Sequence, residues 1–173
     1  MNLNIFFIII SSGLLMIYFL FKPLIIKEQK FTDVALFNIF SFTMYELNNK
    51  GLITLMNGTE ATRYSNRYTI KHIDYTDNSK NYIANMKSKN GIYKNDIVTL
   101  DGDVIYYRED GLTFETQKAV YNKKTSIAQA DGKYILYQNS DSVVGTQLKY
   151  NNLLQQASSK DVTAKYQLIE EQK

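Results

Sequence analysis

Beyond Pro23, the only proline in the chain, apolar and aromatic residues alternate with polar ones almost to the last residue. A period of two is the signature of strands that bury one face and wet the other. It runs through Tyr68-Thr-Ile70-Lys-His72, Leu112-Thr-Phe114-Glu-Thr116, Val144-Gly-Thr146-Gln-Leu148-Lys-Tyr150 and Val162-Thr-Ala164-Lys-Tyr166-Gln-Leu168. No convincing helical stripe competes with it. The breaks carry Asn57-Gly58, Asn90-Gly91, Asp101-Gly102, Asp110-Gly111 and Asp131-Gly132. Asn-Gly and Asp-Gly supply the positive φ that tight hairpins need, so these dipeptides read as turns between short strands. Gly58, Gly102 and Gly132 are each followed by a Tyr at 17 to 19 residues (Tyr75, Tyr121, Tyr150), a weak repeat about two strands and a turn long. Such a pattern predicts an all-β, antiparallel sandwich or barrel, elongated and open at its end strands.

The first segment has a different character. Ile5 to Phe21 reads IFFIIISSGLLMIYFLF, without a charge. As a helix this run spans roughly 26 Å, close to the hydrocarbon thickness of a bilayer. It lacks the polar face of a soluble core helix. It also lacks the basic start and small-x-small exit of a cleaved signal peptide. The expectation is an uncleaved membrane anchor over residues 1–27 and a β-domain over residues 28–173. Lys22, Lys27 and Lys30 follow the helix and no basic residue precedes it, so the positive-inside rule alone places the β-domain in the cytoplasm. Ser11, Ser12 and Gly13 are small enough to let another membrane helix approach.

Composition removes several kinds of chemistry. The chain has no Cys, which excludes disulfides, thiol nucleophiles and Cys-based metal sites. A single His, His72, rules out a His-rich metal site and argues against Ser-His catalysis. Net charge is +3, too balanced for a dedicated nucleic-acid binder. Asp101, Asp103, Glu109, Asp110 and Glu115 lie close in sequence, but Asp101 and Asp110 precede Gly, where Asp serves the backbone. No Gly cluster joins a strand to a helix in a phosphate-cradling pattern. His72 reads as a wall residue of its strand. The segment Arg63 to Lys94 is locally basic: its lysines and arginines either meet phosphates or guard sheet edges against sticking.

Two stretches carry a resemblance. LDGDVIYYREDGLTFETQKAVYNKK, Leu100 to Lys124, and DGKYILYQNSDSVVGTQLKYNN, Asp131 to Asn152, resemble the LptC family of lipopolysaccharide-export proteins. Gly102, Gly132, Gly145 and Tyr166 stand at the family's positions, and Tyr45 to Gly51 matches an upstream turn. Tyr82 stands where the family often has Trp. The motifs are shared with the bridge protein LptA and the wider OstA-like group; the N-terminal anchor favours LptC.

The resemblance implies an antiparallel β-jellyroll on the periplasmic side of the inner membrane. It also implies no catalysis, no cofactor and no metal. Its implied role is to accept lipopolysaccharide from the LptB/LptF/LptG transporter and pass it to LptA. The alternation, if the strands pair as hairpins, turns Tyr68, Ile70, Leu112, Phe114, Leu148, Tyr150 and Tyr166 into a lipid slot. Ser11, Ser12 and Gly13 would meet transporter helices. Val162, Ala164, Tyr166 and Leu168 form a final edge offered to the bridge protein. Two rival readings are an anchored β-sandwich scaffold with a closed core and, further off, an anchored hydrolase.

Overall fold

The computed structural model describes residues 3–20, 33–49 and 51–167. Two units result, and each is described by itself. The first is one helix, α1 (Leu3–Leu20), apolar on all sides and with no buried residue. It is long and apolar enough to cross a membrane.

The second is one sheet of nine antiparallel strands in chain order. They are β1 (Phe37–Asn48), β2 (Gly51–Arg63), β3 (Tyr68–Asp77), β4 (Ala84–Lys94), β5 (Ile97–Arg108), β6 (Thr113–Asn122), β7 (Ile127–Gln138), β8 (Asp141–Asn151) and β9 (Gln156–Lys165). Each neighbour is reached by a hairpin, as expected of a jellyroll-class all-β chain. The edges β1 and β9 have no strand partner among the described residues.

The strands are about twice as long as the sequence pattern predicts, because most of the Gly dipeptides are not turns. Gly58, Gly91, Gly102 and Gly132 all sit inside strands; only Asp110-Gly111 forms a hairpin, with Gly111 at φ 86°. The interior glycines mark a line that crosses the whole sheet. The ladder is interrupted at Ser41 in β1, at Gly58 and Thr59 in β2, and at His72 in β3. From β4 to β9 the register slips near Ser88, Gly102, Gln117, Gly132, Gly145 and Asp161. Ser41, His72, Asp103, Gln147 and Asp161 all have φ near +50° on this line. Bulges and left-handed residues bend a strand. Nine bends in one line fold the sheet into two leaves, each strand contributing half its length to both. The glycines of the weak sequence repeat, Gly58, Gly102 and Gly132, lie on this line in β2, β5 and β7, but the tyrosines that follow them share no place: Tyr75 falls beyond the bend on one leaf, Tyr121 and Tyr150 at the ends of strands on the other.

Contacts across the line show the concave side. One buried cluster joins Ile70, Val98, Leu100 and Ala119 of the first leaf to Ile73, Tyr75, Met86 and Val104 of the second. Gly91 lies where any Cβ would collide with the Cδ1 of Ile73. At most strands the bend also advances the inward positions by three residues instead of two. Inward residues are therefore 70 and 73 on β3, and 145 and 148 on β8. His72, read as a wall residue, is corrected by this: it is exposed on the bend, its Nδ1 3.0 Å from Thr59 Oγ1. Val144 likewise leaves the face of Leu148 and Tyr150 for the convex side.

Candidate functional site

Register partners in a sheet share a face, so the concave surface can be read strand by strand. In the second leaf one row runs Met44, Met56, Tyr75, Met86, Tyr106, Phe114, Leu136, Val143, Ala164. Every member is apolar or aromatic, and the row crosses all nine strands from one free edge to the other. The first leaf carries a matching row: Phe37, Arg63, Tyr68, Tyr93, Val98, Tyr121, Ala128, Tyr150, Ala157. Nearer the bend, Ile39, Ala61, Ile70, Gly91, Leu100 and Ala119 form a tighter row.

This surface is only partly sealed. The buried apolar residues among those described are Ile73, Ala84, Leu100, Val104, Ala130 and Tyr134, and no large side chain is fully buried. Met56, Tyr75, Met86, Tyr106, Phe114, Leu136 and Val143 are all half-buried. A closed sandwich of this size would hide such side chains between its leaves. Burial pushes the Tyr75 and Tyr106 hydroxyls up from their ordinary range, Tyr106 further because the Tyr82 hydroxyl stands beside it. Both stay neutral phenols that offer rings and hydroxyls but no charge. Phe114 and Tyr134 lie 5.8 Å apart between centroids, and Tyr134 reaches across Gly145 to donate to Ser159 Oγ at 2.9 Å.

The residues picked from the alternation are divided between the leaves. Tyr68, Ile70, Leu148 and Tyr150 lie on the first leaf, Phe114 on the second. Leu112 is half-buried in the turn before β6. Val162 and Ala164 lie on the edge strand β9 and are exposed; Tyr166 follows its end, also exposed; Leu168 lies outside the described residues. Ser11 and Ser12 sit beside Phe7, Ile8 and Leu15 on the helix surface, and nothing lies within 4 Å of where Gly13 would carry a Cβ. The methionines and Tyr75, Tyr106, Leu136 and Val143 escape an alternation count because the bend resets it, although Gly or Asp-Gly in mid-run marks most resets.

The convex face is polar chemistry in pairs. Lys71 meets Glu60 at 2.8 Å, Lys87 meets Asp74 at 3.1 Å and Lys89 meets Asp103 at 2.7 Å. Burial pushes the Asp74 carboxyl up, but Asn85 Nδ2 at 2.6 Å and the Lys87 ammonium outweigh it and hold the group below the carboxylate range. The clustered acids do not face one another. Asp103 faces Lys89, Asp110 faces Arg108, and Glu115 accepts from the Tyr137 hydroxyl at 2.7 Å. A shallow depression of about 600 Å³ near the bend is lined by Ile105, Ile135 and Val144 and also by Asp103, Glu115 and Lys133; Asp103 is there paired with Lys89 and Glu115 with the Tyr137 hydroxyl. Among the described residues no group of three His, Asp or Glu is placed to hold a metal.

Two features are to be explained: a two-leaved trough whose rows are apolar or aromatic except for Arg63 and, as a separate unit, an apolar helix. Residues 3–167 match the profile of the LptC family, described as lipopolysaccharide-assembly, LptC-related. The chain belongs to the LptC family. A search of curated proteins gives no match. LptC proteins are components of lipopolysaccharide transport and not an enzyme family, so the function lies in that transport system. The apolar helix α1 fits a membrane-anchored member of the LptC family.

Proposed function

We propose that this LptC family protein is a lipid relay: it accepts lipopolysaccharide from the LptB/LptF/LptG transporter, holds the acyl chains on the concave face and passes the lipid to LptA. In this reading residues 1–27 anchor the chain in the inner membrane and residues 28–173 work in the periplasm. The Lys residues after the helix then stand outside, against the charge rule. The carrying observation is the apolar row that crosses every strand between two open edges, half-buried along its length and exposed at both ends. A closed scaffold has no use for such a row, whereas an acyl chain gains about 0.8 kcal/mol for each CH₂ it buries.

The test is site-specific photo-crosslinking in membranes. A crosslinker at Phe114, on the concave row, is expected to capture lipopolysaccharide. One at Thr113 or Lys165, whose register places them together on the convex row, should stay unlabelled. Labelling of equal strength on both faces would sink the slot reading in favour of the scaffold.

The anchor has its own expected result. We infer that Ser11, Ser12 and Gly13 pack against transporter helices. Gly13→Leu should then change transporter ATPase rate or complex recovery severalfold while the protein stays in the membrane. If a foreign membrane helix gives fully normal transporter behaviour, α1 is a tether only.

A further inference from the structure

The hairpin turns fall in two rows, one at the outer end of each leaf, and their charges are segregated. The first leaf ends in Arg63 and Arg67 around the β2–β3 turn, Lys94 before the β4–β5 turn, and Lys123 and Lys124 in the β6–β7 turn; its acids are Asp33 and Asp96. The second leaf ends in Glu46, Asp77, Glu109, Asp110 and Asp141, with Lys80, Arg108 and Lys165 among the described residues. Both acids of the first row are already engaged. Asp33 is held by Arg67 at 2.8 Å; Asp96 takes the Tyr93 hydroxyl at 3.0 Å and the Lys124 ammonium at 3.3 Å. No carboxylate among the described residues lies within ion-pair distance of Arg63, Lys94 or Lys123, and all three are exposed.

Arg63 and Lys123 are tied to the concave face; Lys94, paired with Ile97, stands at the turn that follows Tyr93. The Arg63 guanidinium lies 5.5 Å from the Tyr68 ring and the Lys123 ammonium 5.6 Å from the Tyr93 ring. The two rings are 6.3 Å apart. The order cation, ring, ring, cation stands at the outer limit of the apolar row, where a buried chain would give way to a polar headgroup.

We propose that this row, through Arg63, Lys94 and Lys123, binds the phosphate groups of the lipid headgroup and so fixes which way round the lipid lies in the trough. The proposal rests on the lipid-relay reading. Guanidinium and ammonium groups on a partly apolar rim are strong phosphate partners, by forked hydrogen bonds and by point charge respectively. The acidic turn row repels the same groups, so only one orientation joins attraction on one side to the absence of repulsion on the other. Sequence alone left the basic stretch Arg63 to Lys94 open between phosphate binding and edge protection. The structure divides it: Lys71, Lys87 and Lys89 neutralise convex carboxylates, while Arg63 and Lys94 go to the rim.

The test uses the full chain with a photo-crosslinker at Phe114 and two probes, lipopolysaccharide and the same lipopolysaccharide stripped of phosphate. The parent chain should be labelled about tenfold more by the phosphorylated lipid. Arg63→Gln, Lys94→Gln and Lys123→Gln together should erase that preference and leave labelling by the stripped lipid unchanged. Lys80→Gln, on the opposite row, should keep it. Equal labelling of the parent chain by both lipids, or a triple variant that keeps its preference, overturns this proposal and leaves the slot reading intact. Loss of preference in Lys80→Gln overturns it too, since the effect would be one of general charge. Preference abolished by millimolar inorganic phosphate would assign the row to free anions and overturn it as well. No labelling by either lipid removes the slot reading, and this proposal with it. An unchanged melting midpoint for the triple variant, expected for three exposed side chains, shows that loss of preference is not loss of fold.

Discussion

Deleting residues 162–173 is expected to abolish capture of LptA while the rest of the domain stays folded and still binds the transporter. β9 is an open edge, with a row of backbone donors and acceptors that another strand can use. The deletion removes Val162 to Lys165 from that strand. Val162, Ala164 and Tyr166 are exposed, so little buried area goes with them. The Ser159 end of β9, bonded to Tyr134 and to the carbonyl of Thr146, remains in place. Lys160, Asp161 and Lys165 flank the edge and limit promiscuous pairing, as charges on edge strands do. Pull-down of LptA, with transporter recovery as control, measures both halves of the expectation. Normal capture by the truncated chain would move the receiving edge elsewhere, and β1 is the other open one.

Gly145→Val is expected to cost about 3 kcal/mol, the sum of an overpacked site and a lost buried hydrogen bond. Valine is a good strand former, so local propensity predicts the opposite sign. Packing decides instead. A Cβ at position 145 would lie 2.9 Å from the Tyr134 hydroxyl and 3.0 Å from its Cε1, and 2.9 Å from Ser159 Oγ. The Tyr134 ring is rigid and buried, and it covers Gly145 to reach the edge strand. Displacing it unclamps β9 from β7. The melting midpoint should fall by about 10 °C, and Tyr134→Phe in the same background should add little, because its bond is already gone. A melting midpoint equal to that of the parent chain would show that the ring moves without cost.

The anchor, the strand class and the absence of a helical core were legible because each follows from a local period. The inward placement of Phe114 and Ile70 was legible too, since each lies within one unbroken run of alternation. The bend was not. Asn-Gly and Asp-Gly favour positive φ wherever they occur, and a reader of sequence assigns that φ to a hairpin. Here Asn95-Asp96, Asn122 to Ser126 and Asn151 to Gln155 make hairpins without any glycine, while Gly58, Gly91, Gly102 and Gly132 crease strands. Once the crease is misread, alternation cannot be continued across it. Val144 is then grouped with Leu148, and Met86 and Tyr106 drop out of view. The charged rim depends on the same geometry, as Arg63, Lys94 and Lys123 come to one end of the sheet only when three separate hairpins end on one leaf.

The strand count has a directional consequence. Nine antiparallel strands in chain order leave both outer strands running the same way, because first and ninth are both odd. Two copies placed head to tail, crease in line with crease, would therefore meet β9 against β1 in parallel, the slightly weaker ladder. Copies that keep their concave faces on the same side and meet in the stronger antiparallel sense must join like edge to like edge. That contact obeys a two-fold axis and closes on itself, so it consumes an edge without lengthening the row. A molecule with an even number of strands would polymerise end on end through antiparallel junctions. With an odd count among the described strands, continuation of this protein by its own copies, crease in line with crease, has only the slightly weaker parallel ladder to use.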